Sequence, residues 1–342
     1  MKQKILVTGG TGYIGSHTAV ELIAEGFDVV IIDNLYNSEA EVVDRIEKIT
    51  GVRPVLEVFD LCDNEKLDSF FSRNTDLKAI IHFAAYKAVG ESVHKPLEYY
   101  RNNLGSLINL LGAMKKYHTG GLVFSSSCTV YGQPEKLPVT EDAPLQPATS
   151  PYGNTKQVGE TIIRDTTVSD PDIKAISLRY FNPIGAHPSA LIGELPRGVP
   201  ENLVPYITQT AYGLRDELRV FGNDYDTPDG SCMRDYLHVV DLAKAHVVAV
   251  KRIVNGLNKK NYEVFNLGTG NGVSVLEAIK SFERVSGKKL NYKIVGRRAG
   301  DIEKIWADPS FANKELGWKT QSSLDEAMRT AWDWEKEIRK KI

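Results

Sequence analysis

The chain has 342 residues, of which 42% are apolar and 25% are charged, and its formal net charge is -2. This length and composition indicate a globular protein with a sizeable buried core. The balanced charge argues against a basic surface for nucleic acid or for an anionic membrane. No apolar run approaches the roughly 20 residues that a membrane-spanning helix requires.

The N-terminal residues and the cysteines bear on where the protein works. Residues 1–5 lead directly into a strand-like run, which leaves no room for a signal peptide, so we expect the cytoplasm. The cysteines are Cys62, Cys128 and Cys232, an odd number at long spacings without a CxxC pair. We therefore expect reduced thiols, with neither a disulfide framework nor a metal site.

Apolar runs alternate with amphipathic stretches through the first half of the chain. The runs predict strands over 4–8, 28–33, 54–58, 79–83, 121–126 and 174–179. The stretches predict helices over 13–25, 39–49, 97–117 and 151–167. Strands alternating with helices indicate an α/β protein with a Rossmann-type, doubly wound parallel sheet.

The amino-acid composition of the chain changes after residue 180. Residues 181–235 are rich in Gly, Pro and Asn, with one predicted helix over 202–213. A helix over 237–254 and a strand over 262–267 follow. We interpret residues 1–180 as a first domain, to which the chain returns around 237–267, and residues 181–342 as a smaller α/β domain that binds substrate.

The turn after the first predicted strand carries Gly9, Gly12 and Gly15 in the spacing GxxGxxG. The first glycine permits a tight turn, the second lets the backbone approach a pyrophosphate, and the third lets the helix pack on the strand. The N-terminus of that helix offers free N–H groups to phosphates. The arrangement predicts a dinucleotide site.

Asp33 ends the second predicted strand, eighteen residues after Gly15. A carboxylate there would accept both hydroxyls of an adenosine ribose and repel a 2′-phosphate. Residues 34–44 contain no Lys or Arg to receive such a phosphate, which favours NAD over NADP. The alternative is that Asp33 only caps a turn.

Two further strand ends contribute to this prediction. Asp60 follows the third strand and could accept a hydrogen bond from the adenine amino group. The small residues Ala84 and Ala85 after the fourth strand let the backbone lie along the cofactor. His82 lies within an apolar run, so we interpret it as a core histidine rather than a ligand.

Tyr152 and Lys156 form a YxxxK pair at the start of a predicted helix, where Ser150 suits the N-cap and Pro151 the first turn. A nearby ammonium favours the phenolate, which could then take a proton from a substrate hydroxyl. Ser127, at the end of the fifth strand, could hold that oxygen. Composition alone predicts about one YxxxK by chance, so the motif counts only with the glycine loop and the strand-end acid.

The sequence resembles the extended short-chain dehydrogenase/reductase family and, within it, the UDP-galactose 4-epimerases, over essentially the whole chain. The stretches that carry the resemblance are VTGGTGYIGSH, DNLYNS, HFAAYKAVGES, PLEYYRNN, FSSSCTVYG, SPYGNTK, RYFNPIGAHPS, FGNDYDTPDG, RDYLHVVDLA, NLGTG and WADPS. The resemblance implies an isomerase of galactose metabolism that interconverts UDP-galactose and UDP-glucose with a retained NAD. Oxidation at the sugar C4, rotation of the 4-keto sugar and hydride return to the opposite face would invert that carbon.

The resemblance also implies a set of site residues. Besides the three glycines, Tyr152 and Lys156, the implied cofactor contacts are Tyr13, Ile14, Asp33, Asn34, Ser38, Asp60, Leu61, Phe83, Ala84, Lys87, Asn102 and Tyr180. Besides Lys87, Ser127 and Tyr152, the implied substrate contacts are Asn182, Asn202, Leu203, Phe221, Arg234, Tyr236, Arg298, Asp301 and Ile305. Two arginines in the second set suit a diphosphate, because a guanidinium is a fixed fork of donors.

Three positions depart from the common pattern of this family. Ala85 stands where glycine is frequent and Cys128 where alanine is frequent, and both changes are small. Ile305 stands where tyrosine excludes N-acetylated sugars and a small residue admits them. The isoleucine is intermediate, so we expect partial acceptance of UDP-N-acetylglucosamine.

Two other functions compete with this interpretation. A nucleotide-sugar 4,6-dehydratase of the same superfamily carries an Asp-Glu pair after the serine-rich strand, whereas Cys128 and Thr129 follow Ser127 here. An NAD-sensing protein without catalysis keeps the glycine loop and loses the Tyr/Lys pair, and this chain has both. The resemblance further implies a homodimer built on the helices near 97–117 and 151–167.

Overall fold

A parallel sheet forms the centre of the protein, whose computed structural model describes residues 2–298 and 301–340. The strands of these residues are β1 (Lys4–Thr8), β2 (Asp28–Asp33), β3 (Val55–Val58), β4 (Leu77–His82), β5 (Gly121–Ser125), β6 (Lys174–Tyr180), β7 (Asn182–Ile184), β8 (Leu218–Phe221), β9 (Met233–Arg234), β10 (Tyr236–His238), β11 (Tyr262–Leu267), β12 (Val273–Ser274), β13 (Tyr292–Val295) and β14 (Lys304–Ile305).

Seven of these strands form the main sheet, in the order β11-β6-β5-β4-β1-β2-β3. Every neighbouring pair in it is parallel. After β1 the chain builds outward to β3 on one side, and from β4 onward it builds on the other. The strand order therefore reverses between β1 and β4, and ligands of such sheets bind at that point, beyond the carboxyl ends of the strands. The predicted fold class is confirmed.

Helices connect the strands. In chain order they are α1 (Tyr13–Ala24), α2 (Val42–Thr50), α3 (Asn64–Arg73), α4 (Val89–His94), α5 (Pro96–Tyr117), α6 (Pro151–Ser169), α7 (Leu203–Tyr212), α8 (Val239–Val254), α9 (Val275–Ser286), α10 (Ser310–Glu315) and α11 (Leu324–Arg339). A short 3-10 turn, Cys128–Tyr131, follows β5. Across the described ranges, no helix has the length and apolarity needed to cross a membrane.

Both faces of the main sheet are covered, as the alternation along β1 illustrates. Ile5 and Val7 belong to a core cluster with residues of α1, α2 and α8. Leu6, which points to the other face, packs in a second cluster with residues of α3, α5 and α6. Successive side chains of a strand face opposite sides, so a strand buried on both faces is apolar throughout.

The later part of the chain builds smaller sheets around a third core cluster. β7 pairs with β10, β8 with β13, and β9 with both β12 and β14. Ile207, Phe282 and Trp332, from three different helices, belong to the cluster beneath them. β11 returns to the edge of the main sheet beside β6. The division into domains at residue 180 stays a prediction.

Several boundaries differ from the sequence prediction. The helix expected over 237–254 begins at Val239, because residues 236–238 pair with β7 as a strand. The helix expected over 39–49 begins at Val42. The sequence pattern also missed α3, whose N-cap Asp63 accepts a hydrogen bond from Lys66 N. Its buried face holds only Leu67, Phe70 and Phe71, which is a weak periodic signal.

Candidate active site

A cleft of about 1140 Å³ opens at the carboxyl ends of β1, β2, β4 and β5, where the strand order reverses. One wall comes from the glycine loop and the loops after β2 and β3. Residues near the starts of α6 and α7 and the segment 192–202 also line the cleft. The cleft is large enough for a dinucleotide and a second ligand.

The glycine loop has the shape that a pyrophosphate site requires. Gly9 has φ +70°, and a Cβ there would lie 2.8 Å from Ala84 N. A Cβ on Gly15 would clash with the carbonyl oxygen of Gly9, so α1 approaches the loop closely only because this residue is glycine. Gly12 is the N-cap residue of α1 and lines the cleft. These residues fit a dinucleotide phosphate.

Three hydrogen bonds fix the Asp33 carboxylate at the end of β2. Its Oδ2 accepts from Thr11 N at 3.1 Å, and its Oδ1 accepts from Leu35 N at 2.9 Å and from Ser38 Oγ at 3.2 Å. These three donors fix the carboxylate while it lines the cleft. Asp33 thus caps the following turn and also faces the cleft, so its capping role leaves it in a position to accept from a ligand.

Lys156 and Ser127 converge on the end of β5. Lys156 is buried, and its Nζ donates to Ser125 O at 2.7 Å. The ammonium lies 5.8 Å from the ring centroid of Tyr152, one helical turn earlier on α6. Ser150 Oγ accepts from Gly153 N at 3.1 Å, which confirms the predicted N-cap and fixes where this turn begins.

The protein's own groups keep Tyr152 a phenol. Burial raises the pKa of Tyr152, nearby Tyr180 and Cys128 raise it further, and a hydrogen bond with Ser127 lowers it. Burial also lowers the pKa of Lys156 to about 8, against the opposing charge of Glu160. Burial thus disfavours the ionised form of both groups, and a further positive charge in the cleft would favour the phenolate of Tyr152.

A second group of polar residues lines the same cleft. Lys87 Nζ donates to Glu194 Oε1 at 3.1 Å, and Asn202 Nδ2 donates to the same oxygen at 2.7 Å. Asn182 begins β7 and also lines the cleft. These groups supply donors and acceptors of the kind that recognise sugar hydroxyls.

Two arginines share the carboxylate of Asp301. Arg234 Nη2 donates to Asp301 Oδ1 at 2.6 Å, and Arg298 Nη2 donates to the same atom at 3.2 Å. The Arg298 guanidinium lies 5.6 Å from the ring centroid of Phe221. Cys128 lines the cleft, and the charge of Arg234 opposes the rise that burial causes in the pKa of its thiol.

Comparison with known proteins identifies this arrangement. Residues 6–331 match the protein family described as GDP-mannose 4,6 dehydratase. The UDP-glucose 4-epimerase of Bacillus subtilis (strain 168) is 52% identical over 331 residues, which cover 97% of this chain and 96% of that protein. The chain belongs to the UDP-glucose 4-epimerase family.

Solved structures of the epimerase family have the same fold. The UDP-glucose 4-epimerase of Stenotrophomonas maltophila, with bound NAD and formylated UDP-arabinopyranose, is 47% identical with a TM-score of 0.96 over 99% of this chain and 100% of that chain. That of Bifidobacterium longum, in complex with NAD+ and UDP, is 47% identical with a TM-score of 0.94 over the same shares.

The epimerase cleft brings together most of the residues that the sequence predicted. Those that line it are Gly9, Gly12, Tyr13, Ile14, Gly15, Asp33, Asn34, Ser38, Asp60, Leu61, Phe83, Ala84, Lys87, Asn102, Ser127, Tyr152, Lys156, Tyr180, Asn182 and Asn202. Those that lie outside its lining are Leu203, Phe221, Arg234, Tyr236, Arg298, Asp301 and Ile305.

The structure also shows site residues that the sequence did not predict. Asn103 accepts from Tyr86 N at 2.8 Å and donates to Thr155 Oγ1 at 3.1 Å, which ties the loop after β4 to α6. Arg197 binds the loop after β2. Asn103 ends the stretch PLEYYRNN, which carries the resemblance, whereas Arg197 lies outside the quoted stretches. Both residues bind groups that are distant in the chain.

His82 is a core histidine, as predicted. Its side chain is 3% exposed, and its Nδ1 lies 2.8 Å from Thr8 Oγ1. The imidazole ring stacks near Phe124, with ring centroids 6.1 Å apart. His82 therefore supports β1 and β4 from within the sheet.

Proposed function

We infer that this chain is an NAD-dependent UDP-glucose 4-epimerase that interconverts UDP-galactose and UDP-glucose. The observation that carries the inference is the placement of Tyr152, Lys156 and Ser127 in one cleft with the glycine loop and Asp33. A tyrosine base near a dinucleotide site suits oxidation of a secondary hydroxyl and its reversal.

The residues that would hold NAD follow from the geometry. The N-terminus of α1 and the glycine loop would bind the pyrophosphate, and Asp33 would accept the adenosine ribose hydroxyls. When bound, NAD supplies the hydride acceptor and donor, and its oxidised ring adds a positive charge to the cleft. Asp33 would repel a 2′-phosphate, which supports NAD rather than NADP.

Tyr152 and its neighbours would handle the proton. We propose that the Tyr152 oxygen takes the proton of the sugar 4-hydroxyl and later returns it to the same oxygen, when hydride has returned to C4 from the opposite face. Ser127 would hold the sugar oxygen, and the Lys156 ammonium would favour the phenolate. Because the proton and the hydride both return, the reaction inverts one carbon without net oxidation.

The arginine cluster would bind the diphosphate of the substrate. Arg234 and Arg298 share a single carboxylate of Asp301, so their remaining N–H groups can turn to a dianionic ligand. We propose that Phe221, Tyr236 and Leu203 complete the uridine side. These three residues lie outside the lining of the cleft, so this part of the proposal rests on the resemblance to the family.

A 4,6-dehydratase is disfavoured by the residues after Ser127. Elimination of water requires an acid and a base at this place, and the chain has Cys128 and Thr129. Burial raises the pKa of the Cys128 thiol to about 12, so it is a poor proton donor and a poor base near neutral pH.

The decisive experiment uses the purified protein without added NAD. UDP-galactose is supplied, and UDP-glucose is followed by NMR or chromatography. Formation of UDP-glucose supports both the reaction and the retained cofactor. No conversion, even with added NAD, would remove the proposed substrate and leave other nucleotide sugars to be tried.

We also propose a cytoplasmic homodimer. The three cysteines are free thiols, which supports a reducing compartment. On α5, Leu97 and Ile108 are exposed apolar residues, which supports an interface between copies. Light scattering should give twice the chain mass for the native protein and less for Ile108→Glu. Unchanged mass in that variant would contradict an interface on α5.

A further inference from the structure

A buried ion pair lies directly behind the proposed catalytic residues. Arg179 Nε donates to Glu160 Oε1 at 2.9 Å, and Arg179 Nη2 donates to Glu160 Oε2 at 2.6 Å. Both side chains are only 6% exposed. Replacing such a pair by apolar residues is often neutral or stabilising, because desolvating two charges is costly. Stability alone therefore does not explain this pair.

One side of the ion pair contacts the end of β5. Ser126 Oγ donates to Glu160 Oε1 at 2.5 Å, and Ser126 is fully buried. The residue before it, Ser125, accepts the Lys156 ammonium through its carbonyl oxygen. The residue after it is Ser127. The Glu160 carboxylate thus binds the side chain of the residue that lies between Ser127 and the carbonyl group that holds Lys156.

The helix places Glu160 on the same face as the reacting groups. Tyr152, Lys156 and Glu160 follow one another at intervals of four residues along α6. Glu160 is also the carboxylate whose charge opposes the burial of Lys156 and raises its pKa. Glu160 therefore acts on Lys156 in two ways, through the strand and through its charge.

The other side of the ion pair is anchored away from the cleft. Arg179 Nη1 donates to Tyr131 OH at 2.9 Å, and Tyr131 OH donates to Asn266 Oδ1 at 2.6 Å. Tyr131 and Asn266 are both fully buried. The hydrogen bond between Arg179 and Tyr131 offers a matched control, because it can be removed without changing the bond between Ser126 and Glu160.

We propose that Glu160 is a positioning residue for the epimerase reaction. Arg179 fixes its carboxylate, and the carboxylate holds Ser126 and thereby fixes the positions of Ser127 and Lys156. The inference rests on the proposed function of the same site. It assigns to Ser126, Glu160 and Arg179 a role in the chemical step rather than in substrate binding, because none of the three lines the cleft.

The test compares Ser126→Ala with Tyr131→Phe in the cofactor-loaded protein. Each variant removes one buried hydroxyl from the network, on opposite sides of the ion pair. We expect Ser126→Ala to lower kcat about tenfold, with KM for UDP-galactose unchanged, since misplacing a reacting group slows only the chemical step. We expect Tyr131→Phe to keep kcat within about twofold, although both variants lower the thermal midpoint.

Arg179→Lys provides a second test if Ser126→Ala fails to fold. Lysine keeps the charge but cannot bind both carboxylate oxygens, so we expect the same fall in kcat without a rise in KM. Native kcat in the folded Ser126 or Arg179 variant, or an equal loss in Tyr131→Phe, would overturn the proposal. Absence of interconversion by the unmodified protein would instead overturn the proposed function, and the inference with it.

Discussion

Tyr152 is the residue whose replacement tests the proton transfer directly. Tyr152→Phe removes only the phenol oxygen, so the fold and the cofactor site should persist. We expect turnover of UDP-galactose to fall by at least about 10²-fold, as for a lost general acid and base. Tyr36→Phe, at an exposed tyrosine that also lines the cleft, is the matched control and should stay active.

Activity near the native level in Tyr152→Phe would contradict the catalytic assignment. Absence of turnover by the unmodified chain would instead favour a protein that binds NAD without catalysis. Cofactor content, measured on both variants, separates a lost reaction from a lost cofactor.

Ile305 carries the prediction on sugar specificity. It is 2% exposed and packs with Val139 and Ala307 next to the 3-10 turn after β5. Isoleucine is shorter than tyrosine, so we expect slow but measurable turnover of UDP-N-acetylglucosamine. Ile305→Tyr should abolish that turnover and leave UDP-galactose as substrate. No detectable turnover by the unmodified protein would show the expectation to be wrong.

At the scale of elements, the segment before α7 is bound to the loop after β2. Arg197 Nη1 donates to Tyr36 O and Nη2 donates to Ser38 O, both at 2.7 Å. Ser38 in turn donates to Asp33, the proposed ribose acceptor. The guanidinium fork thus closes one edge of the cofactor site over groups that are distant in the chain.

Arg197→Ala should therefore weaken NAD retention. We expect a lower NAD content after gel filtration, with turnover recovered when NAD is added. Chromatography of the nucleotide released by denaturation measures the content. Arg53→Ala is the control, because Arg53 is an exposed arginine whose carboxylate partners, Asp44 and Glu47, lie on α2 outside the cleft lining. Equal NAD retention in both variants would contradict a role of Arg197 in holding the cofactor.

The helices show which elements local sequence can predict. The start of α6 was predicted from Ser150 and Pro151 because an N-cap and a first-turn proline are local signals. The face of α6 that carries Tyr152 and Lys156, the proposed catalytic residues, follows from the helical period. Glu160 lies on that face, two turns after Tyr152, so periodicity could have identified it. Its partner Arg179 could not be found in this way, since it lies on β6.

For the whole molecule, buried histidines predict how stability depends on pH. Burial lowers the pKa of His17 and His82 to about 3 and that of His246 to about 4. In the unfolded chain these groups titrate near 6.5. Between about pH 6.5 and 4 the unfolded state therefore binds more protons, so the free energy of unfolding falls as the pH falls.

We expect the thermal midpoint to be stable above pH 7 and to drop steadily from pH 6.5 to 4.5. His82→Gln should show a shallower drop than the native protein, because it removes one group that binds a proton on unfolding. The exposed His94→Gln is the control and should follow the native curve. Parallel curves for all three proteins would count against this explanation.

The sequence by itself determined the parallel sheet, the glycine loop, Asp33 and the Tyr152–Lys156 face. Each of these depends on apolar periodicity, on a turn or on one helical interval, which are properties of a few neighbouring residues. Only the tertiary structure decided the rest. Arg197 acts on a loop 161 residues away, and Arg234 meets Asp301 across 67 residues. Such contacts depend on how distant segments of the chain fold back against one another, and a pattern of neighbouring residues does not predict that.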